Sequence, residues 1–199
     1  MLRIDKAVFP DNFQLQAVVR GMRNPYDSWD KSDNLGEADQ TLMRKLANGG
    51  SVHAKYRRMM VVYLDIIAPL YWWKEFDTYK VGTVCNSCST MHTIQNKKFE
   101  PIDFSCEHLG NNGRAVLDVT IAGLNVARLQ YLKTKDKNYW WEMIQLLPTS
   151  YNQKRTVMLN YEVLANIYKT RKQHKLDEWV DFCNWIERVP YFDTMIKED

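Results

Sequence analysis

The chain has 199 residues, enough for one domain with a substantial hydrophobic core. Hydrophobic residues make up 45% of it and aromatic residues 13%, and this composition excludes a largely disordered protein. The 27 Lys and Arg residues nearly balance the 24 Asp and Glu residues, so the net charge of +3 is too small to indicate a nucleic-acid-binding protein. We expect a single domain over residues 1–199.

Neither a membrane span nor a secretory signal is expected. The longest apolar run, residues 59–73, is interrupted by Asp65 and Pro69 and is shorter than the roughly 20 residues that a bilayer requires. The first residues are charged and lack the apolar segment of a signal peptide. A cytoplasmic, reducing location is therefore predicted, in which the four cysteines are free thiols.

The first half of the chain predicts strands and helices in alternation. Residues 1–9 suggest a strand, and residues 11–22 an amphipathic helix with Asp11 as its N-cap. A second helix is expected over residues 36–50, where the apolar stripe consists of Ala38, Leu42, Met43 and Leu46. The β-branched residues of 57–67 predict a buried strand that Pro69 ends, and a helix follows that proline.

The second half is predicted to be mostly helical. Residues 82–113 show no clear pattern, residues 112–135 and 139–148 predict two helices, and residues 156–190 predict one or two more. The fold class indicated by these elements is α/β (α+β), a helix-rich domain. A basic face on the last of them could receive a phosphate, although such faces are more often simply solvated; it consists of Lys169, Arg171, Lys172 and Lys175.

The cysteines allow a metal site as one alternative. Cys85 and Cys88 have the spacing of a zinc knuckle, and Cys106 with His108 could complete four ligands. The simpler interpretation is that small cysteines pack in a polar loop. A redox Cys-x-x-Cys motif would require a strand and a helix N-terminus around it, and the sequence indicates neither.

Several landmarks occur in the order found in flavin-dependent thymidylate synthases, which the chain resembles over nearly its whole length. An Ala-to-Arg stretch in the first helix is followed by a glycine-rich turn ending in a histidine, and then by a strand running into Ala-Pro. An Asn and a Ser follow at the spacing of the family's signature, and a Leu-Pro precedes a helix with a spaced Asn, Leu and Arg. The residues concerned are 16–22, His53, Ala68, Pro69, Asn86, Ser89, Leu147, Pro148, Asn160, Leu164 and Arg171. The pattern is also similar to uncharacterised phage and prophage relatives.

The chain departs from that family at positively charged positions. The family's Arg-His-Arg triplet falls on Tyr79, Lys80 and Val81, and a further arginine is replaced by Met91. The arginine that lies against the uracil carbonyls in the family corresponds to Glu162. A carboxylate there would accept hydrogen bonds from an amino group and would suit cytosine better than uracil, or it would pair with a nearby Lys or Arg.

The resemblance implies a largely antiparallel sheet, a homotetramer, FAD as cofactor and a pyrimidine deoxynucleotide as ligand. Flavin contacts would come from His53, Tyr79, Lys80 and Asn86. Ser89, Asn160, Glu162 and Arg171 would bind the nucleotide, with Ser89 and Glu162 as the catalytic candidates; no metal ligand is implied. FAD binding is expected to be weak, and NADPH and methylenetetrahydrofolate are expected only if the family reaction is retained.

Two functional hypotheses follow. In the first, the protein is a thymidylate synthase-like enzyme that transfers a methyl or one-carbon group to a pyrimidine deoxynucleotide. In the second, the scaffold binds a nucleotide or a partner without catalysis, because the lost arginines weaken an anion-binding pocket. The small zinc-binding protein remains as a third alternative.

Overall fold

The computed structural model describes residues 1–28 and 30–196. Trp29, in the predicted turn before the second helix, and residues 197–199 lie outside the described residues. The strands are β1 (Arg3–Val8), β2 (Val61–Pro69), β3 (Val84–Ser87) and β4 (Asn152–Asn160). The helices are α1 (Asn12–Arg23), α2 (Glu37–Asn48), α3 (Tyr56–Met59), α4 (Leu70–Phe76), α5 (Thr90–Thr93), α6 (Asn111–Thr134), α7 (Lys137–Leu146), α8 (Tyr161–Arg171), α9 (Asp177–Ile186) and α10 (Phe192–Met195).

The four strands form one antiparallel sheet in the order β1-β2-β4-β3. Helices account for most of the remaining regular structure, so the predicted helix-rich α/β class with an antiparallel sheet is confirmed. The chain divides into two compact units. Unit 1 comprises residues 1–3, 67–77 and 86–155, and unit 2 comprises residues 4–66, 78–85 and 156–199. That all 199 residues act as one domain stays a prediction.

Unit 1 has a core in which the long helix α6 packs against α7. The centre of this core is fully buried, at Leu124 and Met143. The buried pair Trp72 and Trp73 on α4 is edge-to-face, with ring centroids 4.8 Å apart, as expected for tryptophans that cover a core. The indole of Trp73 donates a hydrogen bond of 2.9 Å to the carbonyl of Gln153, which satisfies its buried N–H group.

The prediction of helix from residue 156 onward is wrong at its beginning. Residues 152–160 form β4, and only at Tyr161 does α8 begin. In this stretch buried side chains alternate with more exposed ones, from Gln153 through Val157 to Leu159, which is the period of a strand. The apolar residues of α8 follow directly without a glycine or proline between them, so the change of period was hidden. The short strand β3 was missed because all four of its residues are exposed.

The buried stripe of α2 differs from the predicted one. Its buried residues are Asp39, Met43 and Ala47, whereas Ala38 is exposed. Asp39 is only 4% exposed because Arg23 of α1 binds it with two hydrogen bonds, from Nε to Oδ1 at 2.7 Å and from Nη2 to Oδ2 at 2.6 Å. Burial on its own would raise the pKa of Asp39, but the hydrogen bonds from Arg23 and from the Gly36 N–H outweigh it and lower the pKa.

The beginning of α8 is fixed by Asn160 and Gly82. Asn160 is the N-cap, and its side-chain oxygen accepts a hydrogen bond of 3.1 Å from the Val163 N–H. Gly82 has a φ of +77°, and a Cβ at that position would lie 2.7 Å from Nδ2 of Asn160 and 3.3 Å from Cγ2 of Val163. Only glycine therefore lets the loop before β3 pass this close to the helix.

Helix α6 carries an exposed apolar face. Val116, Val119, Val126 and Leu129 are each at least 59% exposed, and their spacing places them along one side of the helix. The predicted tetramer stays a prediction. Among the described helices, none combines the length and the hydropathy that crossing a bilayer requires.

Replacing Asp39 with Asn tests the Arg23 pair. We expect the free energy of unfolding at neutral pH to fall by about 3 kcal/mol, since breaking a buried ion pair leaves the other charge uncompensated. Because the folded-state pKa of Asp39 is lowered, the wild type retains this stabilisation above the ordinary value of 3.8 and loses it as the pH falls further. The stability of the variant lacks this pH dependence, since asparagine does not titrate. Urea denaturation at neutral and acidic pH measures both effects.

The matched control is Asp33→Asn, which removes a partly exposed pair between Arg20 and Asp33 beside the same helix. That change is expected to cost no more than about 1 kcal/mol. Equal losses for the two variants would contradict a special role for Asp39.

Replacing Gly82 with Ala tests the close approach to Asn160. We expect a loss of about 2–3 kcal/mol, because the positive φ strains the backbone and the new methyl group displaces the cap of α8. Gly50 is the control, since its φ is +88° but nothing lies within 4 Å of the position that a Cβ would take, so Gly50→Ala carries only the backbone strain. Thermal unfolding of both variants gives the difference; if they lose the same stability, Asn160 is not displaced.

Candidate functional site

Unit 2 contains a cavity with a volume of about 950 Å³. Four short segments line it: residues 48–51 after α2, Arg57 and Arg58 of α3, residues 78–81 before Gly82, and residues 162–169 of α8. The volume exceeds what a mononucleotide needs and lies in the ordinary range of ligand sites. Asn160 caps the helix that carries residues 162–169, and Gly82 follows residues 78–81, so these two residues help to position two of the four lining segments.

A buried arginine faces a carboxylate in this cavity. Arg57 is 2% exposed, and its Nη1 lies 3.7 Å from Oε2 of Glu162, whose side chain is 22% exposed. That separation is an ion pair but is too long for a hydrogen bond. Nε and Nη2 of Arg57 and Oε2 of Glu162 are buried and make no hydrogen bond. Of the two interpretations open for Glu162, pairing with a nearby Arg is thus observed.

The neighbour of Arg57 does not neutralise it. The hydroxyl of Tyr56 donates a hydrogen bond of 2.8 Å to the Met43 carbonyl. Burial raises the pKa of Tyr56 to about 12, although the Arg57 guanidinium opposes the shift. Tyr56 is therefore neutral at physiological pH, and among the described residues Glu162 is the carboxylate within 4 Å of Arg57.

Three further cations line the cavity, and they are exposed: Arg58, Lys80 and Lys169. Four positive side chains thus surround one carboxylate, which makes the cavity attractive to an anion. Lys80 is one of the predicted flavin ligands. Lys169 belongs to the basic face noted in the sequence, whereas Lys172 of that face pairs instead with Glu187 at 3.4 Å.

Tyr79 lines the cavity and is held there by Arg171. Nε of Arg171 donates a hydrogen bond of 2.9 Å to the Tyr79 hydroxyl, and its guanidinium lies 4.8 Å from the centre of the Trp179 ring. The Tyr79 hydroxyl is also 3.1 Å from Oγ1 of Thr170. Arg171 does not itself line the cavity; its hydrogen bond positions Tyr79, which does.

The remaining predicted residues of unit 2 lie beside this cavity or elsewhere. Asn160 is 9% exposed and serves as the cap of α8. His53 is exposed and lines a different cavity of about 300 Å³, together with apolar residues such as Met22 and Met59. The structure therefore brings Tyr79, Lys80 and Glu162 together but not His53.

Asn86 and Ser89 belong to unit 1. Asn86 is exposed in β3, and Ser89 is the N-cap of α5, where its hydroxyl accepts a hydrogen bond of 3.2 Å from the His92 N–H. Ser89 also lines a small cavity of about 140 Å³ with Cys88 and Gln153. The side-chain amide of Gln153 donates to the Cys88 carbonyl at 2.9 Å and stabilises this turn.

The proposed zinc ligands do not form a site. None of the four cysteines forms a disulfide, and Cys85 and Cys88 are exposed. Over residues 1–28 and 30–196, no group of three or more His, Cys, Asp and Glu side chains is arranged to hold a metal ion. The interpretation of Cys85, Cys88, Cys106 and His108 as one tetrahedral set is therefore wrong in this structure, since a closed zinc site needs four ligands at bonding distance.

Arg57 is the residue that sequence reasoning missed. It stands in a run of basic residues, Lys55-Tyr56-Arg57-Arg58, directly before a buried strand, and such runs are usually solvated. The sequence feature that could have indicated its burial is its position just before the buried strand β2. Together with Glu162 it gives the cavity buried donors and a buried acceptor, which suit a neutral polar group, while the exposed cations suit an anion.

No protein-family model matches the chain, and no curated protein has a matching sequence. Solved structures do match. Thymidylate synthase X (ThyX) from Helicobacter pylori, solved with FAD and dUMP, has a TM-score of 0.72 at 16% identity and covers 99% of this chain and 97% of its own. A second structure of a Helicobacter pylori ThyX with FAD and dUMP has a TM-score of 0.70 at 16% identity, covering 98% and 97% of the two chains.

The UMP/dUMP methylase PolB from Streptomyces cacaoi, bound with 5-Br dUMP, has a TM-score of 0.61 at 15% identity. The match covers 94% of this chain and 88% of PolB. Identities this low establish the fold and leave the chemistry open. The chain has a fold like that of the flavin-dependent thymidylate synthase ThyX.

Proposed function

We propose that this protein binds a pyrimidine deoxynucleoside monophosphate in the cavity of unit 2. The observation that carries the proposal is the set of four cationic side chains around a cavity of about 950 Å³. The structural neighbours were solved with dUMP or a brominated dUMP, which supports a ligand of the same class here. In this proposal Lys80, Lys169 and Arg58 receive the phosphate, and Tyr79 forms a wall beside the sugar or base.

The proposal accounts for the lost arginines of the signature. Tyr79, Lys80 and Val81 stand where the family has Arg-His-Arg, yet the cavity is still lined by four cations, two of which come from α3. A nucleotide phosphate carries up to two negative charges, and charge-assisted hydrogen bonds to it are typically worth about 1.5–3 kcal/mol each. Positive charge supplied by other elements therefore supports phosphate binding despite the altered motif.

Within unit 2, the residues that the resemblance assigns to flavin line two different cavities. His53 lines another cavity, and the ring of Tyr79 packs edge-to-face against Trp179 with centroids 5.8 Å apart. The Tyr79 hydroxyl is occupied by Arg171, and Lys80 alone remains as a point charge. Nucleotide binding is therefore the function that the geometry of this cavity supports best.

Removing the lysines tests the proposal. We expect Lys80→Ala and Lys169→Ala each to weaken dUMP and dCMP binding about fivefold, because each removes a partly solvated contact to phosphate worth about 1 kcal/mol. The losses should shrink at high salt, since exposed charges are screened. Isothermal titration calorimetry at two salt concentrations measures both.

Lys175→Ala is the matched control, because Lys175 is an exposed lysine of the same basic stretch but does not line the cavity. Its affinities should equal those of the wild type. No binding of either nucleotide to the wild type, or an equal loss for Lys175→Ala, would contradict the proposal.

A further inference from the structure

Three buried polar atoms without hydrogen-bond partners belong to a neighbouring pair of side chains that line the cavity. They are Nε and Nη2 of Arg57 and Oε2 of Glu162. Leaving buried donors and acceptors unsatisfied is costly, and native proteins do so rarely. Both side chains line the cavity, so a ligand bound against them is the candidate partner for these atoms.

The position of the pair is set by the backbone. The Tyr161 N–H donates a hydrogen bond of 3.1 Å to the Met60 carbonyl, which joins the end of α3 to the beginning of α8. Glu162 therefore stands in the first turn of α8, where the helix dipole favours a carboxylate. Arg57 is fixed by its burial, so the donors and the acceptor are presented in a defined arrangement.

The charge of the pair argues against phosphate as its ligand. Nε and Nη2 share one edge of the guanidinium and form a fork of two parallel donors, which by itself would fit a phosphate. Glu162 lies 3.7 Å from the same guanidinium and would repel an anionic group placed there. The phosphate is better served by the exposed cations, so the fork is left for a neutral group.

A neutral partner must offer two adjacent acceptors for the fork and one donor for the carboxylate. The hydrogen-bonding edge of cytosine has this order, with the N4 amino group as donor and N3 and O2 as neighbouring acceptors. Uracil has acceptor, donor, acceptor, and so gives the fork no pair of adjacent acceptors. Guanine also places a donor, N1–H, beside the acceptors O6 and N7, but the proposed site takes a pyrimidine nucleotide, the class with which the structural neighbours were solved.

We propose that Arg57 and Glu162 read the base edge of a cytosine nucleotide, with the Arg57 fork on N3 and O2 and Glu162 on the N4 amino group. This inference rests on the proposed nucleotide site and names its base. Discrimination follows from the penalty on the wrong base, since uracil would leave a buried donor unpaired and would set a carbonyl against a carboxylate.

The test is the ratio of dCMP to dUMP affinity, measured by calorimetry on the wild type and on Glu162→Gln. The wild type should bind dCMP about tenfold to a hundredfold more tightly than dUMP, as expected for one well-placed pair of base contacts. Glu162→Gln retains the shape and adds an amide donor that the uracil O4 can accept. Its preference for dCMP should fall at least tenfold, mostly because dUMP binding improves.

Two further variants separate the possible causes. Arg57→Lys retains the charge but removes the fork, so it should weaken dCMP more than dUMP. Lys169→Ala should weaken both nucleotides equally and leave the ratio unchanged. Circular dichroism and thermal unfolding establish that each variant is folded.

The outcomes distinguish the inference from the nucleotide site itself. If the wild type binds neither nucleotide, the proposed function fails and the inference with it. If both bind with equal affinity, or dUMP binds more tightly, only the inference is overturned. If Glu162→Gln tightens both nucleotides equally, Glu162 merely repels phosphate from Arg57, and the assignment to a base edge is wrong.

Discussion

The candidate site depends on a buried guanidinium that its carboxylate partner does not satisfy. Arg57 is 2% exposed and Glu162 lies 3.7 Å away, so the pair compensates charge but not hydrogen bonding. Transferring an arginine from water into a protein costs several kcal/mol, which such a pair recovers only with good geometry and further hydrogen bonds. In the proposed complex, the nucleotide accepts hydrogen bonds from the buried donors that remain open.

Backbone contacts set the positions of the two helices that carry this pair. A backbone hydrogen bond from the Tyr161 N–H to the Met60 carbonyl joins the end of α3 to the beginning of α8, and these two helices carry the pair. The first turn of α8 is capped by Asn160. Gly82 lets the adjacent loop approach that cap closely enough to bring Tyr79 and Lys80 to the same cavity. Local backbone geometry thus determines where the charges lie, and the charges determine what can bind.

Much of the fold followed from the sequence because helix period and turn residues are strong local signals. The Asp11 cap was predicted from residue order and is present, and α1 lies within one residue of its predicted bounds at each end. β4 was hidden because its alternation runs directly into the apolar face of α8, and β3 because no residue of it is buried. The true face of α2 includes Asp39, whose burial depends on Arg23, a partner 16 residues away that no local pattern reveals.

The site was predictable only in part for the same reason. Tyr79, Lys80 and Glu162 were identified by their place in a family motif, and all three line one cavity. Arg57 carries no motif, and its meaning depends on a tertiary contact with α8. His53 was assigned to the same group by its position after a glycine-rich turn, but the turn directs it to a separate, largely apolar cavity.

The measurement that tests the central claim most directly is a crystal structure of the protein soaked with dCMP. The prediction is that Nε and Nη2 of Arg57 lie within hydrogen-bond distance of the base atoms O2 and N3, with the N4 amino group on Glu162 and the phosphate among Lys80, Lys169 and Arg58. A phosphate bound directly by the Arg57 fork, or a nucleotide bound outside this cavity, would contradict it.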